Sequence, residues 1–217
     1  MQLVRPGERL LDVGCGRGAV ASLLSDRFDE VHGVDTDEDA LVKAAERGVA
    51  VARVDLDREP LPFEDGYFDA VVTLDVIEHV LDPACFAREL ARVLRPGGTV
   101  YVATPNVRFL GYLRTLLMQG RFPHTSSDPR GWQGGHFHFF TNGDLDALLR
   151  ESGFEDVAHH GSAAQAAKET IRYRVLARLL GPRREREFLM AGSFSEATRS
   201  PDPVPAFVPA DSVPRAD

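Results

Sequence analysis

The stretch LLDVGCGRGA, residues 10–19, constrains the fold more than any other: an apolar run, an aspartate, then glycines at 14, 16 and 18. A short apolar run closed by glycines reads as a buried strand turning sharply into a helix. Glycine accepts positive φ and lets another group approach the main chain without a Cβ in the way. Three such residues exceed what a strand-to-helix turn requires, so something comes close to this backbone. The candidates are a dinucleotide, a phosphate or another adenosine-bearing cofactor. Cys15, between two of the glycines, reads as a small filler: a helix N-terminus lowers a thiol's pKa, but no partner base stands nearby in the sequence.

The chain continues as alternating strands and helices. Strands are expected at Arg9–Val13, Glu30–Val34, Val49–Val54, Phe68–Leu74 and Thr99–Ala103, separated by amphipathic helices at Ala19–Phe28, Asp37–Arg47 and Pro83–Leu94. In the last of these, Phe86, Leu90, Val93 and Leu94 share one face, Asp82 is the expected N-cap and Pro83 opens the first turn. Alternation of this kind specifies an α/β fold, a parallel sheet covered on both faces. Later elements are expected as a helix at Val107–Met118, a loop at Gly120–Gly135, a helix at Asp144–Ser152, a strand at Phe154–His159, an arginine-studded helix at Lys168–Leu180 and a last strand at Glu187–Ser193. From residue 198 onward five prolines and no apolar period indicate a disordered tail. The expected organisation is one domain over 1–197, with 106–140 inserted as an aromatic-rich lid after the fifth strand, and a tail over 198–217.

Composition narrows the partners. A net charge of −8 excludes a general nucleic-acid binder, which carries a basic footprint. Cys15 and Cys85 make neither a metal spacing nor a disulfide set, so a reduced, cytoplasmic setting is expected. Between Lys168 and Arg186 seven basic residues surround Ile171, Val175 and Leu179; this reads as a solvated face in preference to a membrane contact.

The glycines alone leave two cofactors open. Gly14-x-Gly16-x-x-Ala19 fits a dinucleotide fingerprint, with Asp35 where a ribose-binding acid belongs. Asp12, at the end of the first strand, would repel a pyrophosphate but not the cationic amino-acid end of S-adenosylmethionine, and Gly18 shifts the spacing to G-x-G-x-G. The blocks taken together settle into one pattern. LLDVGCGRG resembles motif I of the class I S-adenosylmethionine-dependent methyltransferases, and VHGVD, VARVDLDREPLPFEDGYFDAVV, LDVIEHV, LRPGGTVYVATPN and GGHFHFFTNGDLDALLRESGF resemble that family's later blocks in order and spacing. RGVAVARVDLD resembles the methionine-biosynthesis protein W group, and IEHV the ubiquinone-type O-methyltransferases. The resemblance covers roughly residues 3 to 160. It implies a Rossmann-like, seven-stranded, mostly parallel sheet with S-adenosylmethionine as cofactor and S-adenosylhomocysteine as product. It places the cofactor against Asp12, Gly14, Cys15, Gly16, Gly18, Asp35, Thr36, Asp55, Leu56 and Leu74. Asp35 would take the ribose hydroxyls, Asp55 the adenine amine, and the Leu56 amide would lie beside the ring.

A sulfonium methyl is already activated, so positioning and exclusion of water supply much of the acceleration. A base matters when the acceptor is a hydroxyl. His79, after the fourth strand, and His136, in the later family-like block, are the candidate bases; His32, His124, His138, His159 and His160 read as packing or surface residues. Asp75, Glu78 and His79 share one face if they lie on a helical turn, and the resembling ubiquinone-type enzymes bind magnesium with acid, acid and histidine at this spacing. The reading without a metal is preferred, with Mg²⁺ as the lesser alternative. The expected function is methyl transfer to a small-molecule oxygen. Two alternatives stand beside it: an NAD(P)-dependent oxidoreductase, against which the sequence offers no Tyr-x-x-x-Lys, and a non-catalytic cofactor-binding module. Because motif I begins about ten residues from Met1, a homodimer covering the site is a further expectation.

Overall fold

The computed structural model describes residues 3–122, 135–162, 178 and 192–204. Its strands are β1 (Gly7–Val13), β2 (Phe28–Asp35), β3 (Ala50–Arg53), β4 (Phe68–Leu74), β5 (Leu94–Pro105), β6 (Phe154–Ser162) and β7 (Gly192–Arg199), and its helices are α1 (Ala19–Leu24), α2 (Glu38–Ala45), α3 (Pro83–Val93), α4 (Leu110–Gln119) and α5 (Asn142–Glu151). They build one seven-stranded sheet in the order β3-β2-β1-β4-β5-β7-β6. The strands from β3 to β5 pair in parallel, and β7 runs antiparallel between β5 and β6. The order reverses between β1 and β4, and such a reversal opens a crevice at the strands' carboxyl ends.

The central strands are apolar on both sides because both faces are covered. Leu11, Val13, Val71, Val100 and Val102 pack against Phe86 and Leu90 of α3 and Leu145 and Leu149 of α5. The alternate positions Leu10, Ala70, Val72 and Tyr101 pack on the other face with Leu24 and Phe28. Helix starts follow the expected chemistry. The Asp37 side chain accepts from Ala40 N, Asp82 from Cys85 N with Pro83 in the first turn, and Thr141 and Asp144 form a capping box.

Three elements depart from expectation. The first helix ends at Leu24 and tightens into a 3₁₀ turn over Ser25–Arg27, because Phe28 is already buried as the first residue of β2. β5 begins directly at Leu94, five residues early, since Leu94 pairs with Phe68 of β4 before the Gly97 turn. The last strand is described at Gly192–Arg199; it overlaps the expected Glu187–Ser193 at its first two residues and runs past residue 197, while 187–191 lie outside the described residues. It is paired on both edges, and Ser193, Ser195 and Ala197 alternate into the core. Val204, in the segment expected as a tail, packs against the core. The expected helix at Lys168–Leu180 (apart from Arg178), the middle of 106–140 and the chain beyond 204 lie outside the described residues.

Candidate active site

The three glycines of the loop after β1 serve different ends. Gly14 (φ 73°) could carry no Cβ, because one would run into Val76 Cγ2. Gly18 (φ 71°) is closed off by Ala44 of α2, whose Cβ would lie 2.9 Å from an added one. Gly16 (φ 50°) faces open space, with no atom within 4 Å of an added Cβ. The protein's own packing thus demands glycine at 14 and 18, while Gly16 leaves its outer side clear for an incoming group. Asp35, ending β2, holds the loop: its Oδ2 accepts from Gly16 N at 2.8 Å and its Oδ1 from Asp37 N at 3.0 Å.

Asp12 is 3% exposed, and its Oδ2 accepts from Ala21 N at 3.1 Å, in the first turn of α1. The N-cap residue Gly18 has no side chain to supply that acceptor, so Asp12 does so from the strand behind it. Burial is the main reason its carboxyl is pushed up to about 7; the Ala21 amide opposes this and Asp35 adds to it. A helix N-terminus is the usual seat for a pyrophosphate; here a carboxylate of the protein already occupies it. Cys15 is buried with its Sγ against Gly33, 2.8 Å from where a Gly33 Cβ would stand. Burial, then Asp12 and Asp35, push its thiol up to about 12, which suits a filler and not a nucleophile.

Beyond the β1–β4 reversal lies a cleft of about 330 Å³. One wall carries Gly14, Asp35 and Thr36, a second Val54, Asp55, Leu56 and Asp57, and a third Leu74, Asp75, Val76, His79 and Val80. Asp57 ties the second wall to the third, its Oδ1 accepting from Leu81 N at 2.7 Å. At the far lip His79 Nδ1 donates to the Gly135 carbonyl at 2.8 Å, an arrangement that in the neutral imidazole makes Nε2 the acceptor. The His136 ring stands edge-on to His79 with centroids 4.5 Å apart, and burial followed by the neighbouring imidazole lowers its pKa below the ordinary 6.5. The pair is assembled by Glu78. Its main-chain carbonyl accepts from Phe137 N at 2.8 Å and His138 N at 3.2 Å, and its carboxylate, 1% exposed, accepts from Thr104 Oγ1 at 2.9 Å.

A family model described as a methyltransferase domain matches residues 2–159. The chain is 34% identical over 154 residues to a ubiquinone biosynthesis O-methyltransferase of Pseudomonas aeruginosa, covering 69% of this chain and 65% of that protein. It is 40% identical over 155 residues to the protein of the same name from Alkalilimnicola ehrlichii, covering 67% and 60%. The chain thus spans less than two thirds of these relatives' length. A S-adenosylmethionine-dependent methyltransferase from Mesorhizobium loti superposes with a TM-score of 0.66 at 24% identity, covering 89% of this chain and 92% of that one. The chain belongs to the class I S-adenosylmethionine-dependent methyltransferases.

Family membership decides between the two cofactors that the glycine pattern left open. S-adenosylmethionine is the methyltransferase cofactor, and the seat filled by Asp12 agrees with that choice. Of the residues expected at the cofactor, Gly14, Asp35, Thr36, Asp55, Leu56 and Leu74 line the cleft, as does the candidate base His79. Asp12, Cys15, Gly16 and Gly18 stand behind or beside it, and His136 reaches it through His79. Val54, Asp57, Val76 and Val80 are lining residues that the motifs did not single out. For Asp57 a signal existed, since the D-x-D spacing with Asp55 puts two short acceptors on one turn.

The magnesium alternative needs a correction. Asp75, Glu78 and His79 do not share a helical face, because Asp75 takes φ 55° and breaks the turn. The groups that converge are Glu78, His79 and His136, whose donor atoms lie within 4.8 Å of one another. Two imidazoles and one buried carboxylate do not suit Mg²⁺, which takes oxygen ligands and keeps several waters.

Proposed function

We propose that this methyltransferase carries the methyl group of S-adenosylmethionine to a hydroxyl oxygen of a small-molecule acceptor. The main chain at Gly16, the Asp35 carboxylate, Asp55 with the Leu56 amide, and Leu74 hold the cofactor, and the acceptor enters beside Asp75 and His79. The acceptor oxygen attacks the methyl carbon in line with the departing sulfur. The C–S electron pair returns to sulfur, giving S-adenosylhomocysteine, and the hydroxyl proton passes to an imidazole.

The observation that carries this reading is the orientation of His79. Its Nδ1–H donates to the Gly135 carbonyl, so in the neutral imidazole Nε2 is the acceptor. His136 beside it is held in its neutral form, as a base must be. Relatives named as O-methyltransferases support oxygen as the acceptor atom. The test uses labelled S-adenosylmethionine with parallel panels of phenols, alcohols and amines. His79→Gln and His136→Gln are expected to lower turnover on hydroxyl acceptors by roughly 10²-fold or more, with cofactor Kd within about twofold. Turnover confined to amines, or variants as fast as the parent, would overturn the proposal. Cofactor binding without transfer to any acceptor would favour the non-catalytic module.

A further inference from the structure

Arg92, the penultimate residue of α3, engages all five N–H donors of its guanidinium. Nε and Nη2 donate to the Glu89 carboxylate at 2.9 and 2.7 Å, and Nη2 also donates to the Leu61 carbonyl at 2.9 Å. Nη1 donates to the Phe63 carbonyl at 2.8 Å and to Asp65 Oδ1 at 2.7 Å. Glu89, 3% exposed, completes the clamp by accepting from Leu61 N at 2.8 Å. A buried carboxylate and a mostly buried guanidinium thus grip one short stretch, 61–65, of the connection between β3 and β4. A buried ion pair is weak evidence of stability, since apolar side chains of similar volume often hold a fold as well. It does fix direction, because a planar fork with every donor taken admits one arrangement.

The residues just upstream give that direction a use. Asp55–Glu59 close on themselves, the Asp55 carbonyl accepting from Arg58 N at 3.0 Å and Glu59 N at 2.8 Å. Pro60 and Pro62 then flank Leu61, each with its φ fixed by its ring, so little freedom separates the gripped residues from the cleft wall at Val54–Asp57. The same wall is held at the other end of α3, where Leu81 N donates to Asp57 Oδ1 just before the Asp82 N-cap. α3 is therefore a strut tied at both ends to the β3–β4 connection, and it starts directly after the turn that carries His79. We propose that Glu89 and Arg92 are positioning residues for the cofactor: without touching it, they set the Val54–Asp57 wall at the distance from the His79 turn that the adenine ring requires. The proposal rests on the reading that Asp55 and the Leu56 amide meet the adenine.

The test compares, by calorimetry on the full chain, S-adenosylhomocysteine with S-inosylhomocysteine, in which a carbonyl oxygen replaces the adenine amine. The Asp55 carboxylate accepts from the amine and repels the oxygen. The parent is therefore expected to prefer the adenosyl ligand about tenfold or more, and Asp55→Ala to lose that preference. Arg92→Lys keeps the charge beside Glu89 but not the fork, and Glu89→Gln keeps an oxygen for Leu61 N but not the charge. Both are expected to lower the preference at least about threefold. Arg95→Lys, which loosens the ion pair with Asp69 at the opposite end of β4, is expected to leave it within about twofold of the parent. A role in stability alone would lower the Tm of Arg92→Lys and Glu89→Gln and leave the ratio of the two affinities unchanged. That result would overturn the proposal and leave the reading of Asp55 standing. Equal binding of both ligands by the parent would remove the adenine wall, and the proposal with it. A measurement on the parent needs no variant to fold: S-adenosylhomocysteine is expected to slow amide exchange at Leu61 more than at Arg9, whose N–H donates to Asp69. Equal slowing at the two amides would also overturn the proposal.

Discussion

Replacing Asp12 by Asn keeps an oxygen for the Ala21 amide and removes only the charge, so it isolates what burying a carboxylate under α1 does to the fold. In the native state the carboxyl titrates at about 7, against an ordinary value of 3.8. Each pH unit of that displacement corresponds to about 1.4 kcal/mol, so at pH above 7 the native state bears roughly 4 kcal/mol of cost from ionising Asp12, an upper bound. The sign follows from proton uptake. Between pH 3.8 and about 7 the native chain holds a proton here that the unfolded chain has lost, so stability contributed by Asp12 falls as pH rises. The Asn variant has no such slope. It does bury an amide N–H₂ that lacks a partner, at about 1–3 kcal/mol, but this is independent of pH. The expectation for thermal melts without cofactor is that Asp12→Asn gains on the parent from pH 5 to about pH 7 and that the difference levels off above it. The difference in Tm should swing by on the order of 10 °C for a domain of this size. A difference that stays constant with pH, or a parent that gains on the variant toward alkaline pH, would refute the reasoning. The second result would mean that the helix N-terminus stabilises the carboxylate by more than burial opposes it.

Three further outcomes follow from the same geometry. The acid limb of kcat/KM should lie below pH 6.5, because burial and His79 hold His136 neutral there, with rate rising through the limb and level above it; a limb at or above the ordinary value would count against the imidazole pair. Gly14→Ala should fail to fold stably, since it meets both positive φ and the Val76 side chain. Gly16→Ala should cost only about 1 kcal/mol of stability yet raise the cofactor Kd about tenfold or more, read by chemical denaturation and calorimetry. Asp57→Ala should raise the cofactor Kd several-fold by freeing the Leu81 amide from the opposite wall, and Asp57→Asn, which can still accept that hydrogen bond, should restore it; equal Kd values for Ala and parent would remove Asp57 from the site.

What could be read from the sequence is what local chemistry decides. β4 is found at Phe68–Leu74, as its largely apolar run indicated, and α3 begins where Asp82 and Pro83 said it would. The strand order up to β5 follows once the glycine loop is placed at the reversal. Gly192–Arg199, GSFSEATR, which the expected strand reached only at its first two residues, has little hydrophobic signal of its own. It becomes a strand by being paired on both sides, and its inward serines satisfy polar partners: Ser195 Oγ lies 2.7 Å from His159 Nδ1 and 3.2 Å from Ser193 Oγ. Tertiary pairing decides such a segment, and no window along the chain contains it.

The same distinction separates the two halves of the site. Every cofactor residue sits within a few positions of a strand end, so a motif of consecutive residues carries both its identity and its place. Asp12 shows the limit even there. The motif marks it as functional, yet only the fold shows that its carboxyl accepts from the Ala21 amide of α1 and does not line the cleft. On the acceptor side the proposed base is assembled from two distant pieces: the turn after β4, and the neighbours Gly135 and His136 with their carbonyl and ring. Glu78 joins them through a main-chain carbonyl, which has no residue signature at all, and through a buried carboxylate whose partner, Thr104, lies on β5. A reading by motif assigns Glu78 to a metal because its side chain is acidic. The structure instead makes its backbone the clasp that brings the second histidine to the first, and that contribution would survive replacement of the side chain.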